Sequence, residues 1–219
     1  MARIADTQPP LESLAELLEP RRCALLVIDM QRGACEAGGA MGRAGQAVSR
    51  VAAIAPRCGA AIAAARAAGA LLVHVRVANL PGGASSSPAW RRSLALISDV
   101  DPSELSVEGT WETEFCAECA PAPGETVITK RRPSAFLGTD LELILRAAGI
   151  ETVAVVGTAT PGCVETTIRD AAQRDFYTVL IEDCVASNDA ALDEAALLVL
   201  RARHDHCTLE TLLATWGAP

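Results

Sequence analysis

Short apolar runs alternate with longer amphipathic or alanine-rich stretches along almost the whole chain. The run 23–28 is continuously apolar and stops at Asp29; 71–75, 126–129, 152–156 and 178–181 repeat the type, and a short run surrounds Cys207. Runs of four to six β-branched and aliphatic residues without polar alternation predict strands buried on both faces. Helical stretches separate them. One spans 49–68 with Pro56 inside it, which implies a late start or a kink. One follows Thr139, read as its N-cap, with Asp140 and Glu142 in the first turn. Others span 163–174, 190–201 and 209–215. Arg66-Ala67-Ala68-Gly69 and Arg146-Ala147-Ala148-Gly149 each place a cation in a last helical turn and a glycine just beyond it. Strands alternating with helices predict an α/β fold. Right-handed crossovers then give a three-layer α/β/α sandwich around a central, mostly parallel six-stranded sheet.

Residues 78–124 break the alternation. They carry Pro81-Gly82-Gly83, Ser85-Ser86-Ser87-Pro88, Trp90, Trp111 and Phe115. A long segment of this kind is commonly functional, and we expect it to fold over the site and shape substrate choice. Residues 1–20 read as an N-terminal extension and 21–219 as one domain.

Composition narrows the function. Aromatic residues are only 3% of 219, so the core must be built from Ala, Val, Leu and Ile. A net charge of −8 argues against nucleic acid, whose phosphates call for clustered Lys and Arg. The N-terminus lacks a charged-then-apolar leader pattern, and no apolar run reads as long enough to span a bilayer. A cytoplasmic protein with no membrane partner is expected. Eight cysteines in a chain of this size do not read as a disulfide scaffold. Cys23, Cys58, Cys184 and Cys207 read as small core hydrophobes.

Three polar residues fall just past predicted strand ends: Asp29, Lys130 and Cys163. Ligands bind at that edge of an open parallel sheet. Singly, each has an ordinary reading: a turn aspartate, a solvated lysine, an inert thiol. Together they suit acyl transfer. A thiol at a helix start is expected to have a lowered pKa and to attack a carbonyl carbon. A carboxylate can take and return its proton, and an ammonium can stabilise both charges.

The stretches 24–31 (ALLVIDMQ), 127–131 (VITKR) with Ser134-Ala135-Phe136, and 156–164 (VGTATPGCV) resemble those of the isochorismatase-like cysteine hydrolases. Thr166-Thr167-Ile168-Arg169-Asp170-Ala171 and Glu182-Asp183-Cys184-Val185-Ala186-Ser187 fit as well. The resemblance covers most of the chain from Cys23 onward, and is weakest over 78–124. It implies an Asp29–Lys130–Cys163 triad, a cis peptide at Thr158–Ala159, and an oxyanion hole from the N–H groups of Ala159 and Cys163. It further implies a homodimer or homotetramer and a small amide or N-carbamoyl substrate, cleaved through a thioester with release of ammonia or an amine. Gln31, Trp90, Trp111 and Phe136 are candidate substrate contacts.

Some relatives hold a metal through Asp-x-His and a nearby His after the second strand. Here that region reads Val73-His74-Val75-Arg76-Val77, with no second histidine. His204-x-His206 and Cys116-x-x-Cys119 each lack further partners of metal-site spacing. No metal and no cofactor are expected. A vinyl-ether hydrolase using Asp29 as acid, and a non-catalytic oligomeric scaffold, are the alternatives to amide hydrolysis.

Overall fold

In the computed structural model, residues 9–97, 100–101 and 103–217 are described. The strands are β1 (Cys23–Ile28), β2 (Leu71–Val77), β3 (Thr126–Lys130), β4 (Thr152–Thr158), β5 (Tyr177–Ala186) and β6 (Asp205–Cys207). They form one six-stranded sheet in the order β3-β2-β1-β4-β5-β6, and every pairing is parallel. The helices are α1 (Leu14–Leu17), α2 (Arg32–Cys35), α3 (Ala40–Arg43), α4 (Val48–Ala52), α5 (Ala55–Ala68), α6 (Pro88–Leu94), α7 (Leu141–Ala147), α8 (Glu165–Ala172), α9 (Ala190–Arg201) and α10 (Leu209–Thr215).

Strand alternation distributes side chains between two cores. Leu25 and Val27 of β1 join Val156, Ile181, Ala61, Ile62 and Leu212 on the α5 and α10 side. Leu26 and Ile28 join Val155, Leu141, Leu145, Ile168 and Leu200 on the α7, α8 and α9 side. Each fully buried Leu, Ile or Val stabilises the fold by roughly 1.5–3 kcal/mol relative to exposure. The seven cysteines other than Cys163 all fall in the first core, as free thiols.

The structure shifts several expected boundaries. The stretch 49–68 is two helices, because the Pro56 ring clashes with a continuing Ala52 carbonyl four residues back. Pro56 therefore sits in the first turn of α5, which closes on Gly69 in the left-handed conformation (φ 74°). Taken as one stretch, 48–68 is long and apolar enough for a membrane span by length and composition alone, but it is broken at 53–54. Here Cys58, Ala61, Ile62 and Ala65 are buried against the sheet. The N-cap of α7 is Asp140, not Thr139, although the Thr139 hydroxyl accepts the Leu141 N–H at 3.3 Å. β5 runs five residues beyond 181.

Residues 1–8 of the extension lie outside the described residues. Beyond them, Ser13 and Glu16 cap α1 reciprocally. Leu17 and Leu18 are buried, and the Trp216 indole N–H donates to the Leu18 carbonyl at 2.7 Å. The described residues of 78–124 are held by short devices, among them α6, the isolated antiparallel bridge Gln31–Phe115 and the parallel bridge Asn79–Val107.

Candidate active site

β1, β3 and β4 end at the same sheet edge, and each delivers one polar group there. Asp29 follows β1 directly, in the left-handed region (φ 52°), and its N–H donates to the Val75 carbonyl at 2.9 Å. Aspartate is among the few residues that tolerate that conformation. Lys130 is the last residue of β3 and is wholly buried. Because β2 lies between β3 and β1, the lysine stem reaches across it. Its Nζ lies 2.7 Å from Asp29 Oδ2 and 3.1 Å from Cys163 Sγ.

Cys163 arrives through a turn after β4. Gly157 has φ 117°, and a Cβ there would sit 2.1 Å from the Ile28 carbonyl oxygen, so only glycine fits between β1 and β4. The Thr158–Ala159 peptide is cis. Residues Thr160–Val164 make one wide π-type turn, wrapped so that the N–H groups of Gly162 and Val164 both donate to the Ala159 carbonyl. The α-helix proper begins only at Glu165. Cys163 therefore stands in the turn, half-buried, and not in the first α-helical turn that 163–174 implied.

The electrostatics also depart from the expectation of a lowered thiol pKa. Burial pushes Cys163 up, the Asp29 charge pushes it further, and Lys130 opposes them; the result is about 12. The resting thiol keeps its proton. Burial works against the charge on Lys130, but Asp29 and Cys163 outweigh it and raise its pKa. Asp29 Oδ1 is buried and makes no hydrogen bond. That oxygen is the acceptor open to the thiol proton.

Asp29, Lys130, Thr158, Ala159, Gly162 and Cys163 border a pocket of about 220 Å³. Of the four candidate substrate contacts, only Trp90 lies on its wall. Gln31 is buried with both amide ends committed to Val77: Nε2 donates to its carbonyl at 3.0 Å and Oε1 accepts its N–H at 2.8 Å. Trp111 lies outside the pocket wall under the Arg32 guanidinium, and Phe136 is core, packed near Phe176. The reading missed Asn79, Arg131, Arg132 and Asn188, which do line the pocket. The strand-end rule that found the triad applies to them too. Asn79 lies two residues past β2, Arg131 and Arg132 follow β3, and Asn188 lies two past β5. A larger hollow of about 520 Å³ lies at the opposite sheet edge, where Arg66 pairs with Glu125; no thiol lines it.

Among the described residues, no three His, Cys, Asp or Glu side chains gather to hold a metal ion. His74 is buried in β2 and bonds Glu125 at 2.9 Å through Nε2. Burial, the main influence, lowers its pKa against the pull of Glu125. His204 Nδ1 meets the Thr178 hydroxyl at 2.9 Å. Cys116 and Cys119 are buried next to Cys35 and Cys58.

Comparison with known proteins places the chain. The isochorismatase domain family matches residues 23–211. The chain is 36% identical over 183 residues to the ureidoacrylate amidohydrolase RutB of Variovorax paradoxus, covering 80% of this chain and 73% of that one. It is 32% identical over 184 residues to the maleamate amidohydrolase of Pseudomonas putida, covering 84% and 81%. The crystal structure of a cysteine hydrolase from Pseudomonas syringae shares the fold, with a TM-score of 0.83 at 24% identity over 97% of this chain and 99% of that one. The chain belongs to the isochorismatase family and stands among its amidohydrolases, hydrolases of C–N bonds other than peptide bonds.

Proposed function

We propose that Asp29, Lys130 and Cys163 are the catalytic triad of a thiol amidohydrolase that works through a thioester. The observation that carries this reading is the buried Lys130 Nζ within 3.1 Å of Sγ and 2.7 Å of the carboxylate. Cys163 Sγ attacks the amide carbon while its proton passes to Asp29 Oδ1. The N–H groups of Ala159 and Cys163 receive the oxyanion; loss of one such donor typically costs about 3 kcal/mol of transition-state stabilisation. The intermediate collapses, the C–N bond breaks, and Asp29 returns the proton to the leaving nitrogen. Water then gives a proton to Asp29 and adds to the thioester carbon. The C–S bond breaks, and the proton returns to sulfur. Lys130 remains charged throughout and offsets the negative charge on whichever partner carries it.

The domain is 21–219, with 78–124 shaping the pocket. Support comes from Asn79, Trp90, Leu94 and Leu105 of that segment, all on the wall. Thiols packed as core atoms suit a reducing compartment and support a cytoplasmic location. A homodimer or homotetramer is favoured by Leu192, Leu198 and Val199 of α9, large apolar side chains left exposed. Light scattering should then give two or four times 22.8 kDa; a monomer at micromolar concentration contradicts it.

The catalytic reading is tested by ammonia release from ureidoacrylate, maleamate, nicotinamide and simple aliphatic amides, with EDTA present. Wild type should release ammonia from at least one, and Cys163→Ala should lose that activity at least about 1,000-fold. Equal rates in the two proteins would refute the nucleophile.

A further inference from the structure

Lys130, Arg131 and Arg132 all line the pocket, and the first two already hold a carboxylate. Lys130 Nζ pairs with Asp29 at 2.7 Å. Arg131 donates to Glu108 through Nη2 at 3.0 Å and to the Ala78 carbonyl through Nη1. Arg132 has no acidic partner among the described residues. Its Nη1 donates to the Arg131 carbonyl at 2.6 Å and its Nη2 to the Ser85 carbonyl at 3.1 Å, and its guanidinium lies 4.9 Å from the centre of the Trp90 ring. Two carbonyls and a ring face position this charge without cancelling it.

The guanidinium is also fixed in advance. Its carbonyl partners come from different segments, the turn after β3 and the loop before α6, and Trp90 stands in the first turn of α6 with its N–H on the Ser87 hydroxyl at 3.2 Å. A fork held this way loses little freedom when a ligand arrives. A guanidinium carries five N–H donors, and only two are spent on the carbonyls. The remaining donors suit the two oxygens of a carboxylate. The other polar lining groups carry no charge, and each spends a donor within the protein. The Thr158 hydroxyl donates to the Ala186 carbonyl at 3.0 Å, Asn79 Nδ2 to the Leu105 carbonyl at 2.8 Å and Asn188 Nδ2 to Gln46 at 2.8 Å. Val51, Val77, Leu94 and Leu105 make much of the remaining wall aliphatic. An unneutralised cation beside such a wall gains more from an anion than it would in water.

We propose that Arg132 is the specificity-determining residue of this pocket and receives a carboxylate at the far end of the substrate. The substrate class is then a short primary amide with a terminal carboxylate, its amide carbon at Cys163 and its chain against Leu94 and Leu105. The volume of about 220 Å³ is below the roughly 300–1,000 Å³ usual for ligand pockets and keeps the chain to a few carbons.

The inference rests on the triad reading for turnover but not for binding, so two readouts separate them. The first is calorimetry on Cys163→Ala. It compares malonamate, succinamate and glutaramate with propanamide, butanamide and pentanamide, which carry a methyl in place of the carboxylate. At the best chain length the acid should bind at least about 100-fold more tightly than its neutral counterpart, and Arg132→Gln in the same background should abolish that preference. Arg132→Lys keeps the charge and loses the fork, so its preference should be intermediate; it carries the test if Arg132→Gln does not fold. The second readout is the same acid-to-neutral ratio in kcat/KM for Cys163-dependent ammonia release, which should collapse likewise in Arg132→Gln. No binding of any of the acids at millimolar concentration, no preference for the acid at any chain length, or a preference that survives Arg132→Gln overturns the inference and leaves the amidohydrolase reading intact. Arg132-dependent binding of an acid, with no hydrolysis of any amide by wild type, upholds the carboxylate site and removes the triad reading instead.

Discussion

Cys163 is held as a thiol, not as a resting thiolate. Its proton is kept by burial and by the neighbouring Asp29 charge, against the pull of Lys130. In the proposed mechanism Asp29 both helps burial keep the sulfur protonated and is the base that takes its proton when a carbonyl arrives. The two roles give opposite signatures in one variant. Asp29→Asn removes the negative charge, so the Cys163 pKa falls from about 12. Iodoacetamide should then modify Cys163 faster than in wild type at pH 7–9, while amide hydrolysis drops at least about 1,000-fold. In wild type, alkylation should keep rising through pH 10. An unchanged or slower alkylation in Asp29→Asn would show that the aspartate charge does not govern the thiol. The sequence marked these three residues because each falls just past a predicted apolar strand. It carried no signal for the pKa, which depends on how tightly three strand ends converge.

At the scale of elements, the site depends on the turn between β4 and α8. Gly157 lies against the Ile28 carbonyl immediately before Asp29, so the strand leading to Asp29 and the strand leading to Cys163 touch there. Gly157→Ala would force β1 and β4 apart in a backbone conformation alanine resists. The expected loss is about 2–4 kcal/mol in urea unfolding, with activity falling in the protein that still folds. A stability within about 0.5 kcal/mol of wild type would contradict the close approach. Strand positions were legible because continuous apolar runs have few other uses; the ends of helices were less so. Pro56 announced a break, and sterics with Ala52 put it at 53–54. The π-type turn at Thr160–Val164 has no comparable mark, since a wide turn and a helical one draw on the same small residues.

For the whole molecule, the parallel order β3-β2-β1-β4-β5-β6 brings residues more than 100 positions apart to one edge. That much follows from alternation and crossover handedness. The pocket wall does not, because 78–124, the loop after β5 and helices α2, α3 and α4 meet there by tertiary packing, with no shared period in the sequence. Gln31 and Trp111 illustrate the difference. Their chemistry suited a substrate, yet one closes a backbone gap at Val77 and the other packs under Arg32. The central claim, that this sheet edge makes and breaks a thioester on Cys163, is tested most directly by intact-protein mass. Wild type mixed with a turned-over amide and quenched in acid within milliseconds should gain one acyl group, located on Cys163 by peptide mass, and Cys163→Ser should gain none as a thioester. Full ammonia release with no acyl group on Cys163 at any quench time, and with activity retained in Cys163→Ala, would contradict it.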